Sequence, residues 1–236
     1  MPTSYPTLGL PAVLFAHRGA RAHVRENTVE AFQLALRLGA TGIESDVWCT
    51  ADGRVVLDHD GVVGSVFRRR AVGAVPRDEL PSHVPELSDL YRECGTAFAL
   101  SLDVKDPAAF DGVLAAARAA GAALSLWLCH PDLEQLVEWK RRCSPARLVH
   151  STRLASLDRG AEHHAAQLRE LGIDAVNLHH SEWSAGTVAL YHRFGRYCFS
   201  WDAQQPRIIN ALLHMGVDGL YSDHVDRMVD AVAALD

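Results

Sequence analysis

Two carboxylates stand two residues apart in Gly42-Ile43-Glu44-Ser45-Asp46-Val47, a run that is otherwise apolar or small. In an extended chain such residues project to one face. Held side by side out of water they repel, and one takes up a proton unless a cation joins them. A hard divalent cation, Mg2+ or Ca2+, removes that conflict because both bind carboxylate oxygens. Asp103 and Lys105 repeat the spacing at the end of the apolar stretch 98–104. His17-Arg18-Gly19 follows Val13-Leu14-Phe15-Ala16, and His59-Asp60 follows the run Val55-Val56-Leu57 by one residue. Each group alone has a plainer reading: a histidine satisfied at a strand end, a carboxylate paired with Arg18, a lysine capping a helix. Together they form the group set of metal-assisted phosphate chemistry, provided one fold brings them to one end.

The elements that must do so alternate. Apolar or β-branched runs recur at 13–16, 42–47, 98–104, 124–128, 148–149, 175–178, 197–201 and 219–221. Between most of them lie helical patterns, as at 28–38, where Val29, Phe32 and Leu36 repeat at i, i+3, i+7. Glycines such as Gly172 and Gly216 close these helices in a way that suits a left-handed terminal residue. Eight strand and helix repeats in this length of chain predict an α/β fold, a (β/α)8 TIM barrel, formed by residues 1–236 as one domain. An open doubly wound sheet is the alternative, but no G-x-G-x-x-G follows the first strand. The alternation breaks once, with a β-hairpin and a short insertion between the second and third strands. A two-residue turn at Asp52-Gly53 would set Asp46 opposite His59, with Glu44 one diagonal step away.

Composition excludes several classes. The chain has 236 residues, 48% hydrophobic and 22% charged, with a formal net charge of −6, so it lacks the electrostatic footprint of a nucleic-acid partner. Arg68-Arg69-Arg70 reads as a solvated loop, with a phosphate-facing loop as the sharper alternative. No apolar run reaches the roughly 18 residues of a transmembrane helix, and no basic residue precedes the short apolar stretch within residues 1–15. Five cysteines without a C-x-x-C pair fit reduced thiols, and with the missing signal they predict a cytoplasmic protein without stable membrane insertion. His163-His164 beside Glu162 read as solvent-facing, and His179-His180 follow the sixth strand without an assigned role.

The motifs together resemble a known family. His17-Arg18-Gly19, Glu26-Asn27-Thr28 with Ala31-Phe32, Gly39-Ala40, Glu44-x-Asp46-Val47, Thr50-x-Asp52-Gly53 and His59-Asp60 are similar, in order and spacing, to the glycerophosphodiester phosphodiesterases. Val84-Pro85-Glu86-Leu87, Leu102-Asp103-Val104-Lys105 and the closing 216–223 extend the likeness, which is thinnest over 124–190. The resemblance implies a barrel that hydrolyses a small-molecule phosphodiester to sn-glycerol 3-phosphate and an alcohol with one bound Ca2+ or Mg2+. By position it implies Glu44, Asp46 and Asp103 as metal ligands and His17 and His59 as general acid and base. Arg18 and Lys105 would contact the phosphate, and Trp201 would line the glycerol side. Asp103 stands where the family usually has Glu, so its shorter arm must approach more closely or act through water. Lysophospholipid hydrolysis of the phospholipase-D type is an alternative, with Val62, Val63, Val66 and Phe67 as an apolar surface. A non-catalytic binding barrel is another. Oligomeric state is left open.

Overall fold

A computed structural model describes residues 11–64 and 68–235, together with residue 8. Strand β1 (Val13–His17) leads through a turn to α1 (Val29–Arg37) and β2 (Gly42–Cys49). Then come the short β3 (Val55–Leu57), β4 (Val62–Val63) and β5 (Arg70–Ala71), followed by α2 (Leu87–Cys94). From there strand and helix alternate: β6 (Ala99–Val104), α3 (Phe110–Ala119), β7 (Leu126–His130), α4 (Leu133–Lys140), β8 (Arg147–Ser151), α5 (Gly160–Leu171) and β9 (Ala175–His179). The chain closes with α6 (Ala185–Arg193), β10 (Tyr197–Trp201), α7 (Pro206–Met215), β11 (Gly219–Ser222) and α8 (Val225–Ala233). Strands β1, β2 and β6 to β11 pair in parallel, and β1 bonds both β2 and β11, so the sheet closes into the expected eight-stranded barrel. Among the described residues no helix is long and apolar enough to cross a membrane.

Two apolar layers hold this arrangement. The larger lies between the strands' outer faces and the helices, where Phe32, Leu90, Leu114, Leu168 and Leu212 are buried. The smaller fills the barrel with aromatic rings, which prefer offset or edge contacts. Phe15 stacks on Tyr221 at 4.7 Å and meets Phe199 edge-on at 5.4 Å, while Trp127 packs edge-on against Phe199 at 4.8 Å. Glycine makes room for these rings: a Cβ on Gly42 would stand 2.5 Å from the Phe15 ring.

The structure departs from expectation at several points. The β2–β3 register pairs Val47 with Leu57 and Cys49 with Val55, and the Asp58 N–H donates to the Asp46 carbonyl at 3.1 Å. Asp46 therefore faces Asp58, and the expected Asp46–His59 pairing is wrong by one residue. The cause is a three-residue loop: Gly53 N–H donates back to the Thr50 carbonyl at 2.9 Å, with Gly53 left-handed at φ 78°. The fourth barrel strand starts at Leu126, since residues 123–125 form a 3-10 turn that leaves Leu124 exposed. His164 is buried, joined through its two ring nitrogens to His150 and to the Tyr191 hydroxyl at 2.8 Å each. Of the four expected apolar mouth residues, Val62 is exposed, Val63 packs into a small cluster with Val56 and Val72, and Val66 and Phe67 lie outside the described residues.

Candidate active site

The turn after β1 is shaped by backbone conformation. Arg18 is left-handed at φ 53°, an uncommon choice for a side chain of its size, and Gly19 follows at φ 80°. A Cβ on Gly19 would stand 2.7 Å from the Ala31 carbonyl carbon, so only glycine lets the turn approach α1. The strained Arg18 aims its backbone N–H at Glu44 Oε2, 2.9 Å away. Its guanidinium reaches Glu26 Oε1 at 3.0 Å and lies 3.4 Å from Asp46 Oδ2.

Strand pairing assembles the acidic centre. His17 is the register partner of Glu44, and Asp46 that of Asp103, so neighbouring strands bring four of these groups together. Ligand atoms of Glu44, Asp46 and Asp103 all lie within 4.8 Å of one another. The shorter Asp103 reaches the group because β6 is bonded directly to β2. Lys105 Nζ bridges Asp46 Oδ1 and Asp103 Oδ2 at 3.0 Å each. Burial pushes the Glu44 carboxyl up to about 8, opposed by His17 and reinforced by Asp46 and Asp103. Burial also raises Asp46, with Lys105 pulling the other way. Asp46 Oδ2 is buried without a hydrogen bond. A crowded, under-compensated carboxylate set with a free oxygen lone pair fits a hard divalent cation.

His17 is held from behind. Its Nδ1 lies 2.6 Å from Asp223 Oδ1, and Nε2 lies 3.9 Å from Glu44 Oε2. A carboxylate only accepts, so the proton sits on Nδ1 and the Nε2 lone pair faces the carboxylate centre. Burial would lower the His17 pKa, but Glu44 and the Asp223 hydrogen bond outweigh it and the net shift is upward. Arg21 joins the support, ion-paired to Glu26 at 2.5 Å and standing 3.8 Å from Asp223.

A cavity of about 340 Å3 opens over this centre, lined by His17, Glu44, Asp103 and Trp201. Arg18, Asp46 and Lys105 bond to these groups or to one another from the side. His59 alone stands apart: it is not among the cavity's lining residues, its side chain is 39% exposed, and Nδ1 pairs with Asp60 at 2.8 Å. The opposite wall, from β8 and β9, was not foreseen. There Asn177 is buried with its Oδ1 unpartnered, and Arg153 lies over the Trp201 ring at 5.3 Å while pairing with Glu182 at 3.1 Å. No sequence motif marks these residues; Arg153 and Trp201 stand at or just past strand ends, whereas Asn177 lies in the middle of β9.

Comparison with known proteins places the chain in a family. A model of the glycerophosphoryl diester phosphodiesterase family matches residues 17–141, more than half of the chain. A glycerophosphodiester phosphodiesterase of Caldanaerobacter subterraneus is 48% identical over 54 residues, which span 23% of this chain and 22% of that relative. A glycerophosphodiester phosphodiesterase structure from Thermotoga maritima superposes with a TM-score of 0.80 at 21% identity, covering 94% of this chain and 99% of that one. A phosphodiesterase from Oleispira antarctica, solved with its product sn-glycerol-3-phosphate, gives a TM-score of 0.78 at 19% identity, covering 94% and 96%. On the extent of the family match and the shared barrel, the chain belongs to the glycerophosphoryl diester phosphodiesterase family.

Proposed function

We propose that this chain hydrolyses glycerophosphodiesters to sn-glycerol 3-phosphate and an alcohol, dependent on one divalent cation, Ca2+ or Mg2+. The observation that carries the reading is the meeting of the Glu44–Asp46–Asp103 set with the Asp223-held His17 in one cavity. Family membership and the product complex of the Oleispira relative support it.

Glu44, Asp46 and Asp103 would hold the cation, which when bound supplies positive charge to the phosphate oxygens. Arg18 and Lys105 add charge beside it. His17, with Nε2 free, takes the proton of the glycerol hydroxyl next to the phosphate ester, and that oxygen attacks phosphorus. His59 is assigned the complementary task of protonating the departing alcohol, which requires it to turn toward the cavity from its pairing with Asp60. Its place next to Asp58, whose N–H is bonded to Asp46, keeps it on the hairpin that borders the acidic strand. Water then opens the cyclic phosphate with the two roles reversed. Each histidine contributes about 10²–10⁴-fold. Trp201 offers an apolar wall to the glycerol carbons.

The test is release of glycerol 3-phosphate from glycerophosphocholine and glycerophosphoethanolamine in chelator, in Ca2+ and in Mg2+. Cation-dependent release that His17→Ala abolishes supports the reading. Equal release in chelator removes the cation dependence, and unchanged release by His59→Ala removes the two-histidine scheme.

A further inference from the structure

Beside the cavity, at the ends of β9 and β10, His179, His180 and Asp202 present ligand atoms that all lie within 4.8 Å of one another. Trp201 is the register partner of His179, which places Asp202, the next residue, against that imidazole. Asp202 is left-handed at φ 62°, a strained backbone for a residue outside a glycine turn, and its Oδ2 stands 3.3 Å from His179 Nε2. On the far side of the ring, Nδ1 lies 2.7 Å from the Ser181 hydroxyl and 3.3 Å from the Ser181 N–H. The Ser181 N–H donates to Nδ1, so without metal the ring proton sits on Nε2 and is donated to Asp202, and a bound cation would replace that proton between the imidazole and the carboxylate. The His180 ring lies 4.2 Å from that of His179, and among the described residues it has no hydrogen-bond partner.

We propose that His179, His180 and Asp202 form a second cation site, which takes a borderline divalent transition metal such as Zn2+ or Co2+. Two imidazoles and one carboxylate are the donor set such ions prefer, whereas the Glu44 centre is all oxygen and suits hard ions. Metal–ligand bonds of about 2.0–2.2 Å require the three donors to draw together slightly. The exposed Asp202 and the unpartnered His180 can rotate to do so. Three protein donors would leave a fourth position for water. The other imidazole-containing cluster, His192, Cys198 and Asp218, has no such vacancy. Its Asp218 already accepts from His192 Nε2 and the Cys198 N–H at 2.8 Å each and from the Leu8 N–H at 2.5 Å.

The test titrates Co2+ into the intact protein in saturating Mg2+ and reads the visible d–d bands, with dialysis for stoichiometry. One equivalent bound with the intense bands of a four-coordinate site is expected. Affinity should fall at least about tenfold in His180→Ala and in Asp202→Asn, and stay unchanged in Glu44→Gln. Circular dichroism without metal checks that each variant is folded. Absence of the bands, their persistence in both site variants, or their loss in Glu44→Gln would overturn the proposal. None of these readouts depends on phosphodiester turnover.

Discussion

Asp223 holds His17 through a 2.6 Å contact between residues 206 positions apart. The contact exists because the barrel closes, pairing Ala16 on β1 with Ser222 on β11. Asp223→Asn presents an amide whose N–H2 can favour the opposite tautomer, with Nε2 protonated and unable to accept. We expect kcat for glycerol 3-phosphate release to fall on the order of 10²-fold with little change in KM. A variant that raises KM alone would assign Asp223 to substrate contact instead.

Lys105 occupies the gap between Asp46 and Asp103 and acts as their counter-charge. Lys105→Met should cost about 1–2 kcal/mol in chelator, discounted because the lysine is partly exposed. Saturating Ca2+ or Mg2+ should restore most of that loss, since an added cation neutralises the same oxygens. Thermal melts with and without metal check this, and equal losses in both conditions would refute it.

The His150–His164–Tyr191 chain predicts acid lability. Pro131 O can only accept from His150 Nε2, at 3.0 Å, so each ring is neutral and the protons run one way along the chain. Burial, with His150 and His163 adding, lowers His164 to about 4. Because this lies below the unfolded value of about 6.5, the unfolded state binds the proton first as pH falls. The contribution is complete above that unfolded value and disappears on the way down to about 4. Denaturant melts should show about 2 kcal/mol lost from this group between about pH 7 and 5, and His164→Gln should flatten the slope.

Two glycines should respond in opposite senses to alanine. Gly42→Ala drives a methyl to 2.5 Å from the Phe15 ring and should destabilise by about 1–3 kcal/mol. Gly186, in α6, meets nothing closer than Ser184 Oγ at 3.8 Å, and Gly186→Ala should stabilise by up to about 1 kcal/mol. Denaturant midpoints of the two variants decide the matter.

What the sequence made legible follows physical range. Glu44 with Asp46, and Asp103 with Lys105, were readable because a strand's two-residue period fixes their common face locally. The eight runs announced the barrel through the same regularity. The closed barrel already implied that the first and last strands touch, but no local spacing states that the Asp223 side chain turns to His17 Nδ1. The hairpin failed by one residue because Asp52-Gly53 serves a two-residue and a three-residue loop equally well. His164 looked solvent-facing beside Glu162, and its partners on β8 and α6 are remote in sequence.

The acidic residues come from two adjacent strands, whereas Asn177, Arg153 and Trp201 belong to the other side of the ring. The barrel thereby separates its inheritance into two halves. Substitutions on the β8–β10 side can reshape what the cavity admits while the β2–β6 register, and the charge it gathers, stays as it is.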